Sequence, residues 1–123
     1  AVERIEEIAM TKKSNQTDRI KTVLKECDTF SVSKETLQAY FLFLSKNLSL
    51  PCDVVTANEY ERYKLDLIDN SKDEFFGLLG KVRLLSDEKK HSIIPLCDLK
   101  AANNRSENFE MLNDYAAWFI NHQ

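Results

Sequence analysis

The chain is predicted to be an α+β protein with three N-terminal helices, a small antiparallel β-barrel of about five strands, and a closing C-terminal helix. Apolar residues recur at three- and four-residue steps up to residue 49, which is helical spacing. Leu50-Pro51 ends that pattern, because proline disfavours helix in the residue before it. Beyond it, short β-type runs succeed one another at intervals of roughly 10–15 residues with no helical segment between them, the mark of a meander. With 123 residues, the chain is read as one domain: a helical part over 1–49, a barrel over 50–102 and a C-terminal helix over 103–123.

Val2, Ile5 and Ile8 predict a short first helix, ending near the polar run from Thr11 to Gln16. The second is expected to be capped by Thr17, with Asp18 in its first turn and Ile20, Val23, Leu24 and Cys27 as its buried stripe. The third is expected to follow Ser33 as N-cap, with Glu35 in its first turn and Leu37, Tyr40, Phe41, Leu44 and Leu48 along its seam. Leu42 and Phe43 make its flanks apolar too, which predicts burial on more than one side. Strands are predicted over 52–56, over 63–67 with Tyr63, Leu65 and Leu67 on one face, over 75–85, over 91–94 and over 98–101. Gly77 and Gly80 suggest a bulge or sharp bend in the third strand. Pro95 ends the fourth, and Pro95–Leu99 is expected to make one tight turn that points Leu96 and Leu99 inward while Asp98 accepts backbone N–H bonds. Ser106 should cap the last helix, with Phe109, Leu112, Ala116 and Phe119 inside. Tyr115 and Trp118 fall off that stripe, as a second packing surface or as an exposed aromatic interface.

Composition removes several function classes. A net charge of −3 lacks the basic footprint of a general nucleic-acid binder. Two glycines leave no phosphate-cradling loop. No apolar run approaches the roughly 20 residues of a membrane span, and the acidic first residues lack the pattern of a secretory signal. Cys27, Cys52 and Cys97 are odd in number and without paired spacing, which points to a reducing cytoplasm. His91 and His122 sit at no zinc spacing. His91 could in principle serve Cys97, yet nothing supplies an orienting partner or an oxyanion hole, so the chain is read as not an enzyme. Lys89-Lys90-His91 reads as a solvated hairpin tip.

The acids concentrate in the β half, where residues 50–123 carry 13 acidic and 9 basic side chains. An EF-hand starting at Asp69 fails, since Glu74 stands where the glycine must be and Gly80 where the closing glutamate must be. In a meander, Asp53, Asp69, Asp73 and Glu74 would gather at one end of the sheet. Glu59, Glu61, Asp87 and Glu88 would gather at the other. Either set could hold a hard, oxygen-seeking cation such as calcium weakly; the bland alternative is acidic loops kept for solubility.

The apolar helix running into Leu48-Ser49-Leu50-Pro51, then Ile94-Pro95-Leu96-Cys97-Asp98-Leu99, then the final helix with Asp114-Tyr115-Ala116-Ala117-Trp118-Phe119, resembles the cyanobacterial-type calcium-binding protein family, the CcbP-like domains. The resemblance covers residues 37–120. It rests on core and turn residues rather than on metal ligands, and Cys52 stands where the family usually has an aromatic. It implies an SH3-like barrel and low-affinity binding of Ca2+, with the N-terminal helices as an addition. Two functions are therefore expected as alternatives: a calcium-binding protein using the acidic loops, or a protein-interaction module that binds no metal, through a protein partner or self-association.

Overall fold

The computed structural model describes residues 15–56, 58, 61–71 and 73–123. The predicted first helix lies outside them. Helix α1 spans Gln16–Val23, α2 Lys34–Asn47 and α3 Glu107–Asn121. The strands are β1 Cys52–Thr56, β2 Arg62–Asp69, β3 Leu79–Leu84, β4 Asp87–Pro95 and β5 Leu99–Ala101, with a 3-10 turn over Leu96–Asp98. All neighbouring strands are antiparallel, in the order β4-β3-β2-β1-β5. The α+β class and the five antiparallel strands are as expected; β1 to β4 run as a meander, whereas β5 crosses back to pair with β1. The sheet, however, is not closed into a barrel: β4 and β5 are its two outer strands.

Local chemistry sets the helix ends. Asn15, not Thr17, caps α1, its side-chain oxygen accepting the Asp18 N–H at 2.8 Å. The helix stops at Val23, so Leu24 reaches the core from the C-cap and Cys27 from the turn beyond it. Ser33 caps α2 as expected, in a reciprocal box: its Oγ accepts the Thr36 N–H at 3.2 Å and Thr36 Oγ1 accepts the Ser33 N–H at 2.8 Å. Leu37, Tyr40 and Leu44 are buried, but Leu42 is 57% exposed, so α2 does not bury its whole circumference. Its seam meets the protein and the opposite side meets water.

The clean alternation expected in β2 breaks at a bulge. Leu65 pairs with Val82 and Leu67 with Lys81, leaving Asp66 over, and the next inward residue becomes Ile68 while Leu67 turns outward. The bulge thus belongs to β2 rather than to the glycines. Asp66 uses its position to accept Arg83 Nε at 2.8 and 3.0 Å. Gly80 has another purpose: a Cβ there would stand 2.9 Å from Leu65 Cδ1 and 3.2 Å from Leu99 Cδ1, so a side chain would force those buried leucines to shift. The β3–β4 turn falls at Leu85 and Ser86. Lys89 and Lys90 belong to β4, in a stretch where the register with β3 slips.

One core joins the helices and the sheet of the described residues. Leu24 from the helical part, Val54, Leu65 and Val82 from the sheet, and Leu112, Tyr115, Trp118 and Phe119 from α3 belong to the same buried cluster. The inner stripe of α3 is therefore rotated from the expected one, with Tyr115 and Trp118 at its centre and Phe109 and Ala116 at its margins. Aromatic area decides this, since two large rings bury more apolar surface than the residues they displace. Tyr40 of α2 stacks on Trp118 at 4.9 Å and meets Tyr115 edge-on at 5.3 Å. Arg19 of α1 ties to α3 through Asp114, Nε to Oδ2 at 2.7 Å and Nη2 to Oδ1 at 3.1 Å, and Gln16 Nε2 donates to the same carboxylate at 3.1 Å.

The Pro95–Leu99 turn forms as expected, with Leu96 and Leu99 buried. Its closing bonds are backbone ones: Leu99 N–H to the Leu96 carbonyl, and Leu96 N–H to the Leu78 carbonyl at 2.8 Å. Asp98 is exposed and does not close the turn by accepting N–H bonds as predicted; its Oδ1 lies 3.9 Å from the Cys97 thiol. Leu96→Ala should accordingly lower stability by about 2–5 kcal/mol, while Asp98→Asn should stay within about 0.5 kcal/mol as a surface change. Urea denaturation of both variants checks the contrast, and equal losses would contradict it.

Candidate functional site

The first acidic set does not assemble. Asp53 stands opposite Lys64, and its Oδ1 is 2.9 Å from Lys64 Nζ. Asp69 ends β2 five residues further on, roughly 15 Å along the strand at the usual rise. The reason is strand length: β1 starts at Cys52 opposite Leu65, so the last part of β2 runs beyond it. Asp73 turns its Oδ1 onto the backbone N–H groups of Phe75 and Phe76, at 2.7 and 3.1 Å, and Glu74 is exposed. In the second set, Glu61 and Asp87 do lie at one end of the sheet, where the Leu85 N–H bonds the Arg62 carbonyl at 3.1 Å. Glu88 pairs with Arg83 at 3.5 Å, and Glu59 lies outside the described residues. Among the described residues, no group of three or more His, Cys, Asp or Glu side chains is arranged to hold a metal ion.

The nucleophile candidates are quiet. All three cysteines are free and half-buried. Burial pushes each thiol upward, Cys97 to about 11 with Asp98 adding to the effect, so all three stay protonated at neutral pH. His91 sits exposed on the outer strand opposite Arg83, and His122 caps the end of α3.

What stands out instead is the β2–β3 loop. Phe75 is 75% exposed and Phe76 50%, the two rings meeting edge to face at 4.7 Å. Sequence reading placed them in a strand. They are held at a loop tip by several bonds, beginning with the two that Asp73 Oδ1 accepts. The Gly77 N–H bonds the Asp73 carbonyl at 2.7 Å, and Gly77 adopts φ +71. The Leu78 N–H then donates to the buried Tyr115 hydroxyl at 2.8 Å. From the other side, Gln123 Nε2 donates to the Phe75 carbonyl at 3.3 Å. The end of α3 adds exposed Ile120, and Phe30, whose ring meets His122 at 6.5 Å and whose carbonyl accepts Trp118 Nε1 at 2.7 Å. Asp73 two residues before Phe75, with a glycine two residues after it, is a turn signature that marks a loop rather than a strand.

No helix among the described residues is long and apolar enough to cross a membrane. Compared with known proteins, the chain matches no family model, no curated protein and no solved structure.

Proposed function

We propose that the protein is a non-enzymatic interaction module, with the Phe75–Phe76 tip as its main contact and an apolar pocket rimmed by basic groups as its counterpart on a protein partner. The observation that carries this reading is the exposure of two phenyl rings on a loop locked from both sides. Burying such a ring is worth about 1.5–3 kcal/mol, and a loop already ordered loses little freedom on binding. Asp73 and Glu74 flank the rings and supply the acidic rim. The strand order and the 3-10 turn before β5 support an SH3-like sheet as the scaffold. The three unpaired thiols support a reducing, cytoplasmic setting. Calcium binding rests on the family resemblance, since among the described residues no three of the acids are arranged to hold a metal ion.

The test compares wild-type protein with a Phe75→Ser/Phe76→Ser double variant as bait, with Leu42→Ser as an exposed control. A partner retained by wild type and by Leu42→Ser, and lost from the double variant at unchanged or higher melting temperature, is the expected result. Retention by all three baits would move the contact elsewhere. Calcium at roughly 5 mM, well above the weakest extracellular-module affinities, should leave the amide resonances of Asp69, Asp73 and Glu74 unmoved; saturable shifts there would restore the calcium reading.

A further inference from the structure

A groove of about 420 Å³ opens where α1, α2 and α3 meet, at the opposite end of α3 from the aromatic tip. Its apolar wall is Val23, Phe43 and Met111. Among the described residues, its lining holds four carboxylates, those of Asp18, Glu107, Glu110 and Asp114, against one guanidinium, that of Arg19. Arg19 is already committed to Asp114 at 2.7 Å and reaches Glu110 at 3.4 Å, which leaves the groove net negative. Tyr40 forms part of its floor, only 1% exposed, and its hydroxyl has no hydrogen-bond partner among the described residues. Asp114 and Arg19, both on the wall of the groove that Tyr40 helps to line, are among the charges that act on this hydroxyl. Burial first, and Asp114 second, push its phenol well up, and it stays a neutral donor and acceptor. An unmet buried hydroxyl is costly, and such groups are rare without a purpose.

We propose that this groove binds a small organic monocation, an ammonium group carried on an apolar or aromatic body. Independently of the interaction reading above, three features select this chemistry. The excess carboxylate charge attracts the cation and disfavours an anion. The ammonium N–H can donate to Tyr40 Oη, supplying the missing partner. The body lies against Val23, Phe43 and Met111, and the size of the groove falls within the usual range for small-ligand sites.

The experiment is an NMR titration of the full 123-residue chain at pH 7 with three probes of one shape: 2-phenylethylammonium, 2-phenylethanol and 3-phenylpropionate. The ammonium should give saturable amide shifts at Val23, Phe43 and Met111 with a Kd of roughly 1 mM, as its few heavy atoms allow. The alcohol should bind at least about fivefold weaker and the carboxylate not measurably, as charge complementarity demands. Tyr40→Phe should weaken the ammonium about fivefold without lowering the melting temperature, because it removes an unsatisfied oxygen. Glu110→Gln, on an exposed side chain, should weaken it about twofold to threefold as a screened charge and serves as the readout if Tyr40→Phe is poorly folded. Equal binding of ammonium and alcohol, no saturable shifts in the groove, or full affinity in both variants would overturn the proposal; the last outcome would mean that the hydroxyl holds an ordered water only.

Discussion

Trp118→Ala is expected to lower stability by about 3–5 kcal/mol, the range for deleting a large buried aromatic, and to be the costliest single truncation in the chain. Trp118 is fully buried and stacks on Tyr40 at 4.9 Å, with Tyr115 at 5.9 Å and Phe119 at 6.4 Å. Its Nε1 donates to the Phe30 carbonyl at 2.7 Å, which pins the segment between α1 and α2 onto the end of α3. Truncation therefore opens a cavity at the junction of α2 and α3 and also leaves a carbonyl unmet. Against a typical total of about 5–15 kcal/mol, such a loss brings a domain near its folding limit. Trp118→Phe keeps an aromatic ring and loses the hydrogen bond, so it should cost less than the alanine change. Trp118 is the sole tryptophan, so the comparison is made by far-ultraviolet circular dichroism in urea rather than by fluorescence. A loss below about 1 kcal/mol, the scale of an ordinary surface change or a single hydrogen bond, would contradict the placement of this ring at the centre of the core.

Gly77→Ala comes next, with an expected loss of about 2–4 kcal/mol from the left-handed backbone and overpacking together. At φ +71 any Cβ is strained. Here it would also fall on the Tyr115 hydroxyl and 2.7 Å from Phe119 Cε1. Neither ring can retreat, since Tyr115 is fully buried and bonds the Leu78 N–H while Phe119 stacks on it at 6.0 Å. The variant should lose partner retention together with stability, because the same glycine sets the posture of Phe75 and Phe76. Hydrogen exchange at the Leu78 amide reports the local effect. Unchanged protection there and an unchanged melting temperature would show that the loop tolerates a side chain and is not the rigid platform described.

Much of what depends on neighbours in the chain was legible in the residues themselves, although the Asn15 cap of α1 and the Asp73–Gly77 turn were read as a Thr17 cap and as strand. Ser33 caps α2 because its hydroxyl and that of Thr36 are three residues apart, and β1 runs over Cys52–Thr56 as expected, between Pro51 and a polar stretch. Leu96 and Leu99 turn inward together because a 3-10 turn carries residues three apart to one side. The antiparallel meander of β1 to β4 follows from short strands joined without crossover helices. Side-chain destinations that depend on distant partners were not legible. Leu67 alternates with Leu65 on paper, yet the Asp66 bulge, held by Arg83 on the adjacent strand, turns it outward. Tyr115 and Trp118 look peripheral on a helical projection, and only the arrival of Tyr40 from α2 makes their side the buried one. The acidic loops looked convergent because a meander alternates its ends. The offset between β1 and β2 is a matter of register, which set Asp53 against Lys64 and far along the sheet from Asp69. Caps, turns and hairpin pairings are thus largely properties of local backbone chemistry, whereas bulges, registers, the pairing of β5 with β1 and the choice of buried helix face are settled by contacts between segments far apart in the chain.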